Sequence, residues 1–164
     1  MIAYFTHAGY LVVALAMLAE GLTLPCPAVA VLLMAGAAVA GGKLSFWVVV
    51  LVAGLAYTIG SIVPYYLGKN IIYIQKLAWA EKLTRKSARH ITRLGLLFDK
   101  HGDQMVAFSR PFWIGNFVSY FAGLARMSLV KFLVLTFSGI FTWSLVVVSI
   151  GEAFSSNLPK AAQL

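Results

Sequence analysis

The chain has 164 residues, 61% of them hydrophobic and 11% charged, with a net charge of +8 and a mean hydropathy of +0.88. Soluble domains carry about 25% charged and about 45–50% apolar residues, so this composition excludes an ordinary soluble globule and points to an integral membrane protein. No RNA- or DNA-binding motif accompanies the basic charge, and a single cysteine, Cys26, excludes an intramolecular disulfide or a cysteine metal cluster.

The first apolar run, 1–19, has no Lys or Arg before it. A secretory leader would carry a basic start and a small-residue cleavage site, so this run is expected to remain as an N-terminal membrane helix. Residues 20–68 form the next unit, opened by Glu20. The stretch 21–42, GLTLPCPAVAVLLMAGAAVAGG, is long enough to cross a bilayer. It carries Pro25 and Pro27 near its start, however, and Gly36, Gly41 and Gly42 toward its end. Proline removes a backbone donor and kinks a helix, so 21–42 is predicted as a re-entrant hairpin rather than a plain span. A transmembrane helix follows over 44–68, longer than the roughly 20 apolar residues that a ~30 Å hydrocarbon core requires.

Residues 69–103 are a basic connector. Lys69, Lys76, Lys82, Arg85, Lys86, Arg89, Arg93 and Lys100 concentrate here, which by the positive-inside rule makes 69–100 cytoplasmic. Within 81–100, Leu83, Ile91, Leu94 and Phe98 recur at helical spacing among the basic residues. This fits an amphipathic helix on anionic lipid head groups of the inner leaflet, each basic residue contributing about 1 kcal/mol; the alternative is a solvated helix that only sets topology. The second unit, 104–151, repeats the plan. Residues 111–125, between Arg110 and Arg126, are too short to span, so 104–125 is predicted as a second hairpin. A transmembrane helix over 132–151 and a tail over 152–164 complete the chain.

The two units also echo each other in detail. Ala35-Gly36, Lys43, Phe46, Gly54 and Tyr57 are answered by Ala122-Gly123, Lys131, Phe132, Gly139 and Trp143, at a spacing of about 86 residues, and such weak internal symmetry marks transporter folds built from repeats. With the connector inside, the first hairpin opens outward and the second inward. Arg126 and Lys131 then join the cytoplasmic charges, while Lys43 and Lys160 fall outside. The expected fold class is all-α integral membrane, an inverted repeat of two re-entrant helical hairpins each followed by a transmembrane helix.

Taken in order, Glu20, Pro25, Pro27, Ala35-Gly36, Gly54, Gly60, Tyr65-Tyr66-Leu67-Gly68-Lys69, His101-Gly102, Phe108, Arg110, Ala122-Gly123, Met127, Phe132, Gly139 and Trp143 resemble the DedA family, also called the VTT or SNARE-associated Golgi protein family. The resemblance covers residues 15–152. It implies two opposed re-entrant hairpins, an inverted-repeat core, and movement of lipids between leaflets: undecaprenyl phosphate or phospholipid in bacterial members, scrambling in eukaryotic ones, with proton coupling in several. The chain departs from the family pattern in three places. Pro27-Ala28-Val29 replaces Pro-Gly-Glu, Gly60-Ser61 replaces Gly-Asp, and Arg110 stands where two arginines are usual, with Asn116 near the second position.

The candidate site follows from these residues. Arg110 is a permanent cation in an apolar run, costing about 2.5–3.5 kcal/mol at membrane depth on insertion scales; a lipid phosphate would suit its bidentate guanidinium. Held near the interface, it would instead bind carbonyls at the hairpin mouth. Glu20 is expected to pair with Arg110 or carry a proton, or else to sit exposed at a helix end. Asn116, Ser61, Ser109 and Tyr120 are candidate head-group contacts, with helix packing as their alternative role, and Pro25, Pro27, Pro111, Gly36 and Gly123 are expected to shape the hairpins. His7, His90 and His101 lack metal-ligand spacing, and no nucleophile–base pair or phosphate-cradling loop is present. No cofactor and no enzymatic activity are expected. The expected function is a flippase- or scramblase-like translocase for a phosphate-bearing lipid in the cytoplasmic membrane; a proton-coupled small-solute or ion transporter and a non-transporting scaffold are the alternatives. A core this small is compatible with a homodimer.

Overall fold

The structure, a computed structural model, describes residues 2–70, 106 and 115–161. These form six helices: α1 (Ile2–Gly21), α2 (Ala28–Ala40), α3 (Phe46–Gly60), α4 (Ile62–Lys69), α5 (Gly115–Leu124) and α6 (Leu129–Ala161). There is no strand among the described residues. The amphipathic helix expected over 81–100 lies outside them.

Two helices are long and apolar enough to cross a bilayer, Phe46–Lys69 and Leu129–Ser156. The first is α3 and α4 in series, interrupted at Ser61. The interruption has a local cause: Pro64 has no N–H to return to the Gly60 carbonyl four residues back, and its ring crowds that carbonyl. Thr58 and Ser61 add polar groups at the break, their hydroxyls donating to the Gly54 and Thr58 carbonyls at 2.7 Å each.

Side-chain distribution on α3 and α4 suits lipid rather than water. Val49, Val50, Ala53, Gly54, Ala56 and Gly60 face inward, while Leu51, Leu55, Ile59 and Val63 point outward, Ile59 with 57% of its surface exposed. A surface helix of a soluble protein puts polar residues on its outer face. Here most inward positions are Gly, Ala or Val, with Tyr57 and Tyr65 the large exceptions, and large apolar residues face out; small residues at the contacts let membrane helices approach closely.

Two apolar clusters hold the molecule together. The first joins Val13 and Met17 of α1, Leu32 and Ala35 of α2, Val49, Val50 and Ala53 of α3, and Ile140, Val147 and Val148 of α6. The second gathers Tyr65, Val106, Val118, Ala122, Met127 and Phe132. α2 packs chiefly on α6, α1 on α3, and α5 on α4. At each of these interfaces glycine meets glycine or backbone. A Cβ built on Gly36 of α2 would stand 3.0 Å from Gly151 Cα of α6, and one on Gly68 of α4 would run into the Tyr120 carbonyl of α5. Reciprocally, one on Gly123 of α5 would strike the Tyr65 carbonyl of α4.

The stretch predicted as a hairpin over 21–42 divides into three parts. Gly21 still belongs to α1, residues 22–27 form a loop, and the 13 residues of α2 extend about 20 Å. The prolines explain the boundary: Pro25 and Pro27 cannot continue α1, and Pro27 is the residue that precedes α2. Gly36 does not break α2, nor does Gly123 break α5; both are crossing points within continuous helices.

Three helices end in the same way. The Leu24, Lys43 and Met127 amides bond back to the Ala19, Ala38 and Ala122 carbonyls, and the preceding amides bond to Glu20, Val39 and Gly123. This is the Schellman closure, which requires a left-handed residue after the helix. Gly42 fills that position after α2 with φ 69°, but Thr23 (φ 65°) does so after α1 and Arg126 (φ 54°) after α5.

Candidate functional site

The end of α1 is where the predicted polar residues converge. Glu20 is half-buried on its last turn, and among the described residues it forms no ion pair. Its neighbour Gly21 lies against the Tyr57 carbonyl and the Ser61 amide, and Gly60 lies against Leu18 and Gly21 in return. The carboxylate-bearing end of α1 therefore meets the α3–α4 break directly, with no side chain between the two backbones.

Two residues further on, Thr23 reaches across to the second unit. Its Oγ1 lies 3.1 Å from the Tyr120 hydroxyl of α5, a partly buried hydrogen bond in which either group can donate. It closes the loop 22–27 onto a helix 97 positions away. Thr23 takes up a left-handed conformation that costs an L-residue roughly 1–2 kcal/mol and is an outlier for a β-branched one.

Of the predicted site residues, the structure thus brings Glu20, Ser61 and Tyr120 to one region through Gly21 and Thr23. Ser61 is fully buried, and its hydroxyl is committed to the Thr58 carbonyl at the helix break. Asn116 stands on the first turn of α5. Arg110, Ser109 and Pro111 lie outside the described residues. Pro25 and Pro27 are exposed in the loop, with Cys26 half-buried between them. No three His, Cys, Asp or Glu side chains gather as a metal site would need, among the described residues.

Two residues here carry roles that the sequence does not announce. Thr23 follows an apolar run and precedes Pro25, a helix-stop signal, but nothing in a threonine announces left-handed backbone. Tyr65 is the other. Its buried hydroxyl donates to the Met127 carbonyl between α5 and α6, and its ring stacks on Phe132 at 4.9 Å. It fastens α4 to the turn between α5 and α6. At the end of α4, Lys69 Nζ lies 5.9 Å from the centre of the Tyr66 ring, an aromatic and basic pairing of the kind found where membrane helices meet water. One buried side-chain oxygen has no hydrogen-bond partner among the described residues, Ser144 Oγ on α6.

Helices of this length and this inside-out distribution define an all-helical membrane protein. Residues 24–153 match the VTT domain, and the chain belongs to that family, the DedA and SNARE-associated family expected from its motifs. Two relatives, from Lactococcus lactis subsp. cremoris and Lactococcus lactis subsp. lactis, are each 28% identical over 155 residues. The matches cover 91% of this chain and 72% of each relative, and both relatives bear the name alkaline phosphatase-like protein. No solved structure matches the chain.

Proposed function

We propose that the chain is a translocase of the cytoplasmic membrane that moves a phosphate-bearing lipid, phospholipid or undecaprenyl phosphate, between leaflets without covalent chemistry. The observation that carries this reading is the gathering of Glu20, Thr23, Ser61 and Tyr120 in a predominantly apolar bundle, at the break of a membrane-length helix. Interrupted backbone at membrane depth is tolerated where it lines protein or a hydrated path. Arg110, the head-group ligand in this reading, belongs to the segment that leads into α5, the helix carrying Tyr120.

The inverted-repeat architecture is part of the proposal. It is supported by the way the two units exchange partners: α2 of the first crosses α6 of the second at Gly36 and Gly151, while α5 of the second crosses α4 of the first at Gly123 and Gly68. The short span of α2 supports a re-entrant path for the first hairpin. In the same reading 69–100 faces the cytoplasm, 81–100 rests on anionic head groups, and two copies associate.

Reconstitution tests this directly. In proteoliposomes holding labelled phospholipid, or separately labelled undecaprenyl phosphate, the protein should accelerate movement between leaflets over protein-free vesicles. Arg110→Ala should slow it about ten- to hundredfold, the scale of a lost hydrogen bond to a charged group. Movement no faster than in empty vesicles would end the translocase reading. The same preparation incubated with p-nitrophenyl phosphate should release no phosphate; release that tracks the protein would favour the activity that the relatives' name describes.

A further inference from the structure

We infer that the Thr23–Tyr120 hydroxyl pair is a latch that holds the loop 22–27 shut against α5, and that its opening controls access of water and head groups to the end of α1. Two independent observations carry this. The first is the bond itself, which joins the loop of the first unit to a helix of the second at 3.1 Å in a partly buried setting. The second is backbone strain at one of its two partners. Of the three Schellman positions, the one after α2 holds Gly42, which takes φ 69° freely, and the one after α5 holds the unbranched Arg126 at φ 54°, whereas the one after α1 holds a β-branched residue at φ 65°, an outlier for that side-chain type. Strained backbone persists where the surroundings over-determine it, and it clusters at switches and ligand clamps. What Thr23 contributes that glycine would not is a hydroxyl, and that hydroxyl meets Tyr120.

The position suits a device of this kind. Thr23 is the third residue after Glu20, and Gly21 between them rests on the Ser61 amide at the helix break. The loop has no helix hydrogen-bond ladder across 24–27, and the Tyr120 contact is a side-chain bond that ties it to α5. Opening the latch exposes the half-buried Glu20 and leaves both hydroxyls free to bond water or a phosphate oxygen.

The role in lipid movement rests on the translocase reading; the latch itself does not, and the chain's own Cys26 separates the two. This thiol sits in the loop, half-buried. Its rate of modification by a water-soluble methanethiosulfonate reagent, measured on the full chain in proteoliposomes, reports loop opening whether or not lipid moves. Tyr120→Phe and Thr23→Val should each speed modification about two- to tenfold, the population shift from losing one neutral hydrogen bond. Tyr120→Phe removes a single oxygen and carries the test if Thr23→Val fails to fold. The double variant should go no faster than the quicker single one, and Thr23→Ser should stay at the wild-type rate. Unchanged Cys26 modification in Tyr120→Phe, or additive effects in the double variant, would overturn the latch. If modification responds as expected while labelled lipid moves no faster than in empty vesicles, the latch stands and the translocase reading falls. If lipid moves and Cys26 is unmoved by Tyr120→Phe, the reverse holds.

Discussion

Single hydroxyls do unequal work in this protein, and their partners decide how much. Tyr65 is buried and donates to the Met127 carbonyl, so Tyr65→Phe leaves a buried acceptor unmet. The expected loss is about 0.5–2 kcal/mol, between the measured range for hydrogen bonds within membranes and the desolvation cost of an orphaned group. Ser144 is the opposite case. Its oxygen is fully buried without a partner among the described residues, and Ser144→Ala is expected to leave stability unchanged or raise it by up to about 1 kcal/mol. Thermal denaturation of both variants in one detergent ranks them; a Ser144→Ala that melts below Tyr65→Phe would reverse the argument.

At the scale of helices, the glycine crossings set the architecture. Gly36 and Gly151 bring α2 and α6 to backbone contact, and van der Waals packing is the main force between helices in lipid. Gly36→Val and Gly151→Val are each expected to destabilise by about 2 kcal/mol or more, as overpacking does in close interiors. Together they should cost less than the sum, because either alone already parts the helices. A double-mutant cycle on unfolding in detergent measures this, and strict additivity would place the two glycines at separate contacts.

Much of the helix inventory was readable in advance, because apolar runs and prolines act locally. The span expected over 44–68 is found as Phe46–Lys69, and the loop before α2 falls at the two prolines. The second long helix exceeds its apolar run. The sequence predicts 132–151, and the helix runs from Leu129 to Ala161, through Lys131 and Glu152, since charges near the ends of a membrane helix can extend toward water without ending it. Crossing partners were not readable. Gly36 and Gly123 are expected from the sequence to shape the hairpins, and only the three-dimensional path shows a facing backbone at each. The polar cluster was half readable: Glu20, Ser61 and Tyr120 stand out in an apolar sequence, whereas Thr23 became visible only through its backbone angle.

For the molecule as a whole, the membrane-length helices make a sidedness prediction. Lys43 and Lys69 bracket the rod Phe46–Lys69, whose 24 residues extend about 36 Å. In a Cys26→Ser background, a cysteine at position 43 should react with an impermeant reagent from one face of the membrane, and a cysteine at 69 from the other. Tests on intact and inverted vesicles distinguish the faces, and labelling of both positions from the same side would refute a spanning rod. In the proposed topology, with the basic residues of 69–100 inside, position 69 is the one expected to label from the cytoplasmic face.

The exchange of partners between the two units also has a consequence in time. Its principal neighbour, α6, reaches α2 only after the ribosome has added about 115 more residues between Gly36 and Gly151, a delay on the order of ten seconds at common elongation rates of about 5–20 residues per second. Through that interval a helix shorter than the bilayer is thick has α1 beside it and none of its main contact surface. Biogenesis, rather than the finished fold, is therefore the stage at which this protein is most exposed to quality-control proteases and most in need of the insertion machinery. Substitutions on the α6 side of the crossing should accordingly lower the amount of protein that accumulates before they alter what the mature protein does.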